Sequence, residues 1–351
     1  MMKREEEVDG LILTCMQLVR ERASEIKNGE KLIFSEEEAK NSFVHIASHN
    51  NFPTAAGLAS SAAGFSCLAF SLATLFGLNE SFPGEISSIA RVGSGSACRS
   101  LYGGFVKWQR GEKQDGSDSL AVQVIDEKHW PEMQVLVLVV SAQKKGVSST
   151  VGMKRTVETS ELFAERVKLV EEKRIPEMEK ALKERDFDSF AKLTMQDSNQ
   201  FHAVCLDTYP PIFYLNDVSA RIIQLVTLFN ESHGRPKAAY TFDAGPNAVV
   251  YLLKQDVPLF LQLVLHFFPP AVEQKKDSYF NNVDLLNEMG VEDLSQVPFP
   301  PSLLPKPFSS LGKSPGALQF IQHTSVGAGP QILPLSETQL DTTSGDLNKM
   351  K

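Results

Sequence analysis

The chain is poor in cysteine, and its few cysteines lie far apart. Among 351 residues there are four, Cys15, Cys67, Cys98 and Cys205, with no paired spacing. This excludes a disulfide-stapled scaffold and indicates reduced thiols in a cytoplasmic protein. Long apolar runs are missing as well, since none approaches the roughly 18 residues that a membrane-spanning helix needs. We therefore expect no membrane partner.

Basic residues are in the minority. The sequence has 35 lysines and arginines against 43 aspartates and glutamates, for a formal net charge of −8. This balance provides no broad basic surface to neutralise a nucleic-acid backbone, so a nucleic-acid partner is excluded. Any anionic ligand must instead bind in a local pocket. The apolar content of 42% is that of an ordinary globular protein, with enough chain for two cores.

A stretch of small residues from 50 to 64 leads into a long apolar pattern. The pattern has helical spacing and ends at Gly77, as at a helix C-cap. A glycine-containing loop that enters a helix offers backbone N–H groups to an anion, and Ser60 and Ser61 add hydroxyl donors. The same pattern is also typical of a tightly packed core helix with a serine cap. Pattern alone leaves both alternatives open.

Two further polar segments suit an anionic ligand. Gly93-Ser94-Gly95-Ser96 lies beside Arg99, whose guanidinium can hold a carboxylate through two hydrogen bonds. Residues 141–155 combine lysines, hydroxyls and glycines, which suits contacts with phosphate. Both segments are, however, more typical of solvated loops.

Asp243 stands between two apolar segments that we predict to be strands joined by a turn. A carboxylate held between buried strands is desolvated, so it usually has a partner or takes part in chemistry. The alternative is an ordinary turn aspartate. Upstream, residues 197–202 form a polar cluster in a segment that is otherwise amphipathic.

The remaining pattern predicts a mixture of helices and strands. Helical periodicity covers residues 12–26, 158–201 and 221–229. Asp115-Gly116 is typical of a hairpin turn. The sequence shows no Cys/His metal-ligand cluster and no nucleophile–base pair at a recognisable spacing. The predicted strands are residues 42–48, 105–108, 121–124, 135–140, 320–324 and 331–333.

Four of these segments, in this order, resemble the mevalonate diphosphate decarboxylase family of the GHMP kinase superfamily. They are residues 50–64, 94–104, 197–202 and 240–248, and residues 53–62 within them are similar to the ATP-phosphate loop of the superfamily. The resemblance implies an α+β fold and a homodimer. It implies a ribosomal-protein-S5-like N-terminal ATP-binding domain over 1–140, an α/β sandwich over 141–335 and a disordered tail over 336–351.

The reaction that the resemblance implies is an ATP-dependent decarboxylation. The substrate is (R)-mevalonate 5-diphosphate, the products are isopentenyl diphosphate, ADP, phosphate and carbon dioxide, and the pathway is isoprenoid and sterol biosynthesis. Mg²⁺ offsets the charge of the ATP phosphates. Asp243, at the position of the family's catalytic aspartate, orients or deprotonates the substrate 3-hydroxyl.

The resemblance also assigns binding residues. Arg99, with Ser94 and Ser96, binds the substrate carboxylate and takes part in catalysis. Ser198 contacts the diphosphate or hydroxyl region of the substrate. The ATP phosphates are held by Ala56, Gly57, Leu58, Ala59, Ser60 and Ser61.

The sequence departs from the family pattern at its start. Family members open with strands that carry a Lys-Tyr-Trp-Gly-Lys stretch and a serine-rich segment, and neither occurs here. We therefore expect an incomplete N-terminal domain and weak or absent activity. The alternatives to the decarboxylase are a small-molecule kinase of the same superfamily and a non-catalytic fragment that binds nucleotide or dimerises.

Overall fold

The structure is a computed structural model that divides into two compact units. Unit 1 comprises residues 1–52, 59–127 and 327–351, and unit 2 comprises residues 53–58 and 128–326. Ala56 of the predicted phosphate loop, residues 141–145 of the lysine-containing segment and the tail after residue 335 lie outside the described residues. The described residues are 2–28, 31–52, 57–140, 146–271 and 274–334.

Unit 1 combines helices with two small antiparallel strand pairs. Its helices are α1 (Met2–Arg20), α2 (Glu36–Asn41), α3 (Ser60–Leu75) and α4 (Glu85–Gly93), followed by a short 3-10 helix (Gly95–Leu101). Its strands are β1 (Ile26–Asn28), β2 (Lys31–Phe34), β3 (Phe105–Trp108) and β4 (Ala121–Ile125), paired as β1–β2 and β3–β4.

The core of unit 1 forms between α1, α3 and α4. Cys15, Val19, Leu72, Phe76 and Ile89 are buried together there. Burial of such side chains stabilises the unit because it removes apolar surface from water. The helix predicted after the small-residue stretch is confirmed as α3.

The hairpin predicted between residues 105 and 124 is also confirmed. Its strands β3 and β4 pair antiparallel, and Gly116 in the connection has φ +67°, a conformation that favours glycine. The Asp115 carboxylate accepts a hydrogen bond of 3.0 Å from the Ser117 amide, which fixes the turn locally.

Unit 2 contains a four-stranded antiparallel sheet and most of the helices. Its strands are β5 (Met133–Val139), β6 (Ala238–Phe242), β7 (Ala248–Leu253) and β8 (Phe320–Ser325), in the order β6-β7-β5-β8. Its helices are α5 (Ser149–Thr159), α6 (Leu162–Leu169), α7 (Ile175–Glu184), α8 (Phe187–Asp207), α9 (Asp217–His233), α10 (Val257–Phe267), α11 (Lys276–Tyr279) and α12 (Val283–Glu288).

The core of unit 2 lies on this sheet. Leu136 of β5 and Val250 of β7 pair across the central strands and are fully buried with Phe229 of α9 and Phe260 of α10. Strand β5 belongs to unit 2 because it pairs with β7 and β8. The chain therefore passes from unit 1 to unit 2 after residue 127, while the domain boundary at residue 140 stays a prediction.

Two predicted strands are wrong. Residues 42–50 have no regular secondary structure, and the Phe43 side chain is exposed rather than packed. Residues 331–334 are also irregular. A strand requires a neighbouring strand edge to bind its backbone, and the described residues offer none to either segment. The mixed α+β class itself is confirmed.

Candidate functional site

The start of α3 has the backbone geometry of an anion-binding loop. Gly57 has φ +76°, and Ala59 at the helix N-cap has φ +56° and ψ +33°. A left-handed alanine is uncommon and marks a position that the surrounding structure holds in place. The first turn of α3 carries no acidic side chain and no side-chain cap, so its backbone N–H groups and helix dipole favour an anion.

Gly57 lies directly against the turn that carries Asp243. A Cβ atom on Gly57 would be 2.9 Å from the Cα atom of Gly245 and 3.1 Å from the carbonyl carbon of Ala244. Real side chains do not tolerate such distances to backbone atoms, so glycine is required at this position. Unit 2 thus brings the glycine of the predicted phosphate loop and the Asp243 turn together.

Unit 1 brings together two other predicted ligands. The Ser94 hydroxyl, between α4 and the 3-10 helix, donates a hydrogen bond of 3.3 Å to the Ser61 hydroxyl in the first turn of α3. Ser60 and Ser96 are half-buried in the same unit, as is Leu58 in unit 2. The segments that the sequence assigned to ATP and to the substrate therefore meet at these two hydroxyls.

Arg99 is exposed at the end of the 3-10 helix, with its guanidinium carbon 6.0 Å from the centre of the Trp108 ring. Gly95 makes room for that ring, because a Cβ atom there would be 3.0 Å from it. Trp108 is itself fixed by a hydrogen bond of 2.9 Å from its indole N–H to the Ser119 hydroxyl. A cation over an aromatic face keeps its N–H donors at the ring edge available to a carboxylate.

Asp243 follows β6, where the sequence placed it, but it is not desolvated. Its side chain is exposed, so the expected burial between two strands is wrong. The reason is that β6 ends at Phe242 and β7 begins only at Ala248, so the carboxylate lies in the turn rather than within the sheet. A solvent-facing carboxylate is accessible to a substrate.

The turn around Asp243 is held from several sides. The Gly245 amide donates to the Asp243 carbonyl at 2.7 Å. The buried Ser219 hydroxyl donates to the Pro246 carbonyl at 2.9 Å, and the buried Asn247 side chain accepts from the Val140 amide at 2.7 Å. An exposed carboxylate on such a rigid turn has a fixed position, as a catalytic role would require.

The polar cluster at residues 197–202 lies on α8, beside this turn. Ser198 is 3% exposed, and its hydroxyl accepts a hydrogen bond of 3.1 Å from the Phe242 amide. His202 is 7% exposed, with Nε2 3.3 Å from the Phe242 carbonyl oxygen. Ser198 is thus tied to the residue before Asp243, and its direct contact with substrate stays a prediction.

Burial shifts the pKa of three side chains near Asp243. It lowers the pKa of His202, although the hydrogen bond with Phe242 and the charge of Asp243 act in the other direction. It raises the pKa of Cys205 to about 11 and that of Tyr214 to about 12. All three groups are therefore neutral at physiological pH.

Sequence reasoning missed an ion network around Asp197 of α8. The Asp197 carboxylate binds Arg166 at 2.8 Å and Arg174 at 2.9 Å, and both guanidinium groups also donate to the Gln200 side chain. Burial opposes ionisation of Asp197, but the two arginines outweigh it and lower its pKa. The arginines come from α6 and from the turn of π-helix before α7, so no local spacing signals the network.

No group of three or more His, Cys, Asp or Glu side chains is placed to hold a metal ion in the described part of the chain. No helix within the described ranges combines the length and apolar character needed to cross a membrane.

The chain matches known proteins over most of its length. Residues 2–121 match the diphosphomevalonate decarboxylase-like N-terminal domain, and residues 135–333 match the mevalonate 5-diphosphate decarboxylase C-terminal domain. The diphosphomevalonate decarboxylase of Homo sapiens is 54% identical over 290 residues, which are 83% of this chain and 68% of the human protein. That of Rattus norvegicus is 53% identical, with the same coverage.

Solved structures give the same match. The mevalonate diphosphate decarboxylase from Trypanosoma brucei superposes with a TM-score of 0.78 at 36% identity, covering 93% of this chain and 80% of that one. A related enzyme called MDDEF, in complex with MVAPP, AMPPCP and magnesium, superposes with a TM-score of 0.54 at 36% identity, covering 60% and 64%.

Proposed function

The chain belongs to the mevalonate 5-diphosphate decarboxylase family, and we propose that it converts (R)-mevalonate 5-diphosphate to isopentenyl diphosphate at the expense of ATP. ADP, phosphate and carbon dioxide are the other products. One observation of the structure carries this proposal: the loop glycine Gly57 lies against the turn of Asp243. Phosphoryl transfer depends mainly on placing a phosphate and the accepting hydroxyl side by side, and the contact between the loop and the Asp243 turn supports such a placement.

Asp243 is the proposed acid–base group. Its carboxylate takes the proton of the tertiary 3-hydroxyl as the hydroxyl oxygen attacks the γ-phosphorus and the bond to ADP breaks. The C–O bond to the new phosphate then breaks, and the C–C bond to the carboxylate supplies the electron pair of the product double bond. Because positive charge develops at the carbon that loses phosphate, the Asp243 carboxylate also stabilises this step.

Arg99 is the proposed carboxylate ligand, together with Ser94 and Ser96. Its exposed guanidinium over Trp108 can hold the substrate carboxylate through two hydrogen bonds until carbon dioxide leaves. The hydrogen bond between Ser94 and Ser61 supports this assignment, since it joins the segment of Arg99 to the first turn of α3.

The nucleotide and its metal fit the residues present. Residues 57–61 present backbone N–H groups and hydroxyls that suit the ATP phosphates, and we extend this assignment to Ala56. The described residues form no cage of protein ligands, which agrees with the preference of Mg²⁺ for substrate phosphates, water and one or two carboxylates. When bound with ATP, Mg²⁺ supplies charge neutralisation of the phosphates.

We further propose a cytoplasmic homodimer. The four cysteines are all free of disulfides, which supports a reducing compartment. Light scattering on a size-exclusion column tests the dimer, since a mass twice that of the 38.8 kDa chain is expected.

The experiment that tests the activity follows two products at once. Purified protein receives ATP, Mg²⁺ and mevalonate 5-diphosphate labelled in its carboxyl carbon, and released carbon dioxide and ADP are measured together. Whatever the rate of turnover, we expect equal amounts of both, and none from Asp243→Asn. The control is Asp277→Asn, an exposed carboxylate on α11 of the same unit, which should retain full turnover.

Other outcomes separate the alternatives. ADP without carbon dioxide would favour a small-molecule kinase. Nucleotide binding with neither product would favour a non-catalytic fragment. Full turnover by Asp243→Asn would remove the aspartate from the mechanism.

A further inference from the structure

The last residue of β6 is held through both of its backbone polar groups by two side chains of one helix. Ser198 and His202 are four residues apart on α8, so they lie on the same face of the helix. Ser198 accepts from the Phe242 amide, and His202 contacts the Phe242 carbonyl. Strand β6 is at the edge of its sheet. Ser198 and His202 therefore form hydrogen bonds with backbone groups that would otherwise be available to a further strand.

The chemistry of this contact fixes the tautomer of His202. A carbonyl oxygen only accepts hydrogen bonds, so Nε2 of His202 must carry the proton that lies between them. Burial lowers the pKa of His202, so the ring is neutral at physiological pH and its second nitrogen, Nδ1, has no proton. The side chain therefore acts as a neutral donor aimed at a backbone oxygen.

The imidazole ring is locked by aromatic neighbours. Phe201 lies at 4.9 Å, Phe242 at 6.2 Å and Tyr214 at 6.5 Å between ring centres, each nearly perpendicular to the imidazole. Edge-to-face packing on three sides holds the ring plane. The Nε2–H bond consequently has little freedom to turn away from the Phe242 carbonyl.

We infer that His202 is a positioning residue for Asp243: its Nε2–H, together with the Ser198 hydroxyl, anchors the Phe242 peptide groups and so fixes the exposed carboxylate one residue later. This inference rests on the proposed role of Asp243. The Asp243 side chain is exposed and is not held in place by burial, so its position depends on the backbone of the residues before it. His202 touches neither substrate nor the reacting atoms in this role.

The test compares three variants. His202→Leu removes the donor with little loss of volume, His202→Gln retains a side-chain N–H at a similar reach, and His129→Leu is the matched control. His129 makes the same kind of bond, 3.1 Å from Nε2 to the Leu182 carbonyl, within the same unit. Steady-state kinetics are measured for each, with amide hydrogen exchange of the segment around residues 238–245.

We expect a split between kcat and KM. His202→Leu should lose about tenfold in kcat with both KM values within about twofold, because binding is retained while the acid–base group is displaced. His202→Gln should recover most of that loss, and His129→Leu should match the parent. Amide exchange around Asp243 should accelerate in His202→Leu only.

Results that contradict the role of His202 can be told apart from results that contradict the proposed function. Full kcat in His202→Leu, or equal losses in the Leu and Gln variants, would overturn the inference while Asp243→Asn remained inactive. If the parent released no carbon dioxide, the proposed function would fall. Amide hydrogen exchange around residues 238–245 would then be the remaining test of the anchoring role. Unchanged exchange in His202→Leu would refute that role.

Discussion

Gly57 and Gly245 are in backbone contact. A Cβ atom on Gly57 would lie 2.9 Å from the Gly245 Cα atom and 3.0 Å from its amide nitrogen, and Gly57 also has φ +76°. Gly57, in the proposed nucleotide loop, is therefore required for two reasons that do not involve phosphate: its own conformation and the approach of the Asp243 turn. A substitution there should affect both segments together.

Replacing Gly57 by alanine should disable catalysis. The methyl group must push the Asp243 turn away, because both partners are backbone and neither is a flexible side chain. We expect kcat/KM to fall at least about a hundredfold, as is typical when reacting groups are displaced by an ångström. Steady-state kinetics measure this loss, and calorimetric titration with an ATP analogue shows whether nucleotide affinity falls with it.

Gly64 provides the matched control in the same sequence motif. It lies within α3 and has open space around its Cα, so alanine introduces no contact. Gly64→Ala should keep full activity and add up to about 1 kcal/mol to the free energy of unfolding, since alanine favours the helix. Equal kinetic defects in the two variants would contradict the steric argument.

Much of the fold was predictable because its signals are local. The helix after the small-residue stretch, the hairpin turn at Gly116 and the buried strand β5 each follow from spacing or turn chemistry within a few residues. The two wrong strands, at 42–48 and 331–333, fail for the opposite reason. Strand formation depends on a distant partner edge, which no single segment specifies.

The sequence motifs identified residues of the candidate site but not the contacts between them. The sequence pointed to Asp243 and Ser198 separately, and only the structure shows that Ser198 is buried against the residue before Asp243. His202 could have been singled out by its spacing of four from Ser198 on a predicted helix. The partners of Asp197 could not, because Arg166 and Arg174 are brought to it by packing.

Arg99 should be sensitive even to lysine. The lysine ammonium is a point charge that cannot form two parallel hydrogen bonds with a carboxylate, and it lacks the planar group that Arg99 places over Trp108. We expect Arg99→Lys to raise KM for mevalonate 5-diphosphate about tenfold and to change KM for ATP by less than about twofold. Arg110→Lys, on an exposed arginine of the same unit, is the control. A parallel rise in both KM values would count against a carboxylate ligand.

The four cysteines should differ sharply in reactivity. Cys67 is exposed on α3, whereas Cys15, Cys98 and Cys205 are buried. Burial raises the pKa of Cys205 to about 11, so at pH 8 fewer than about 1% of its molecules are thiolate, the reactive form. Limited treatment with iodoacetamide and peptide mass spectrometry should find Cys67 modified first. Denatured protein, in which all four react alike, is the reference, and early labelling of Cys205 would show that its pocket opens.

Asp197 should make stability depend on pH in the acid range. Its folded pKa is lowered, so its contribution is present in full above the ordinary carboxyl pKa of about 4 and is lost as pH falls through the lower folded value. Asp197→Asn should therefore cost about 1 kcal/mol at pH 7, and progressively less below pH 4, because two largely buried guanidinium groups lose their charged acceptor. The Asp197 side chain is itself 42% exposed, so solvent screening keeps the loss near this size.

Urea unfolding at a series of pH values measures the Asp197 contribution, with Asp188→Asn as the control on the same helix. Asp188 binds Arg235 at 2.8 Å, but both side chains are about half exposed, so that pair is screened by solvent. Its replacement should cost less than about 0.5 kcal/mol at pH 7. If the two variants lost equal stability, or if the Asp197→Asn deficit persisted undiminished at pH 3, the buried arginines would not be the cause. The pH dependence, more than the size of the loss, identifies the ion network, because only an ionised carboxylate forms it.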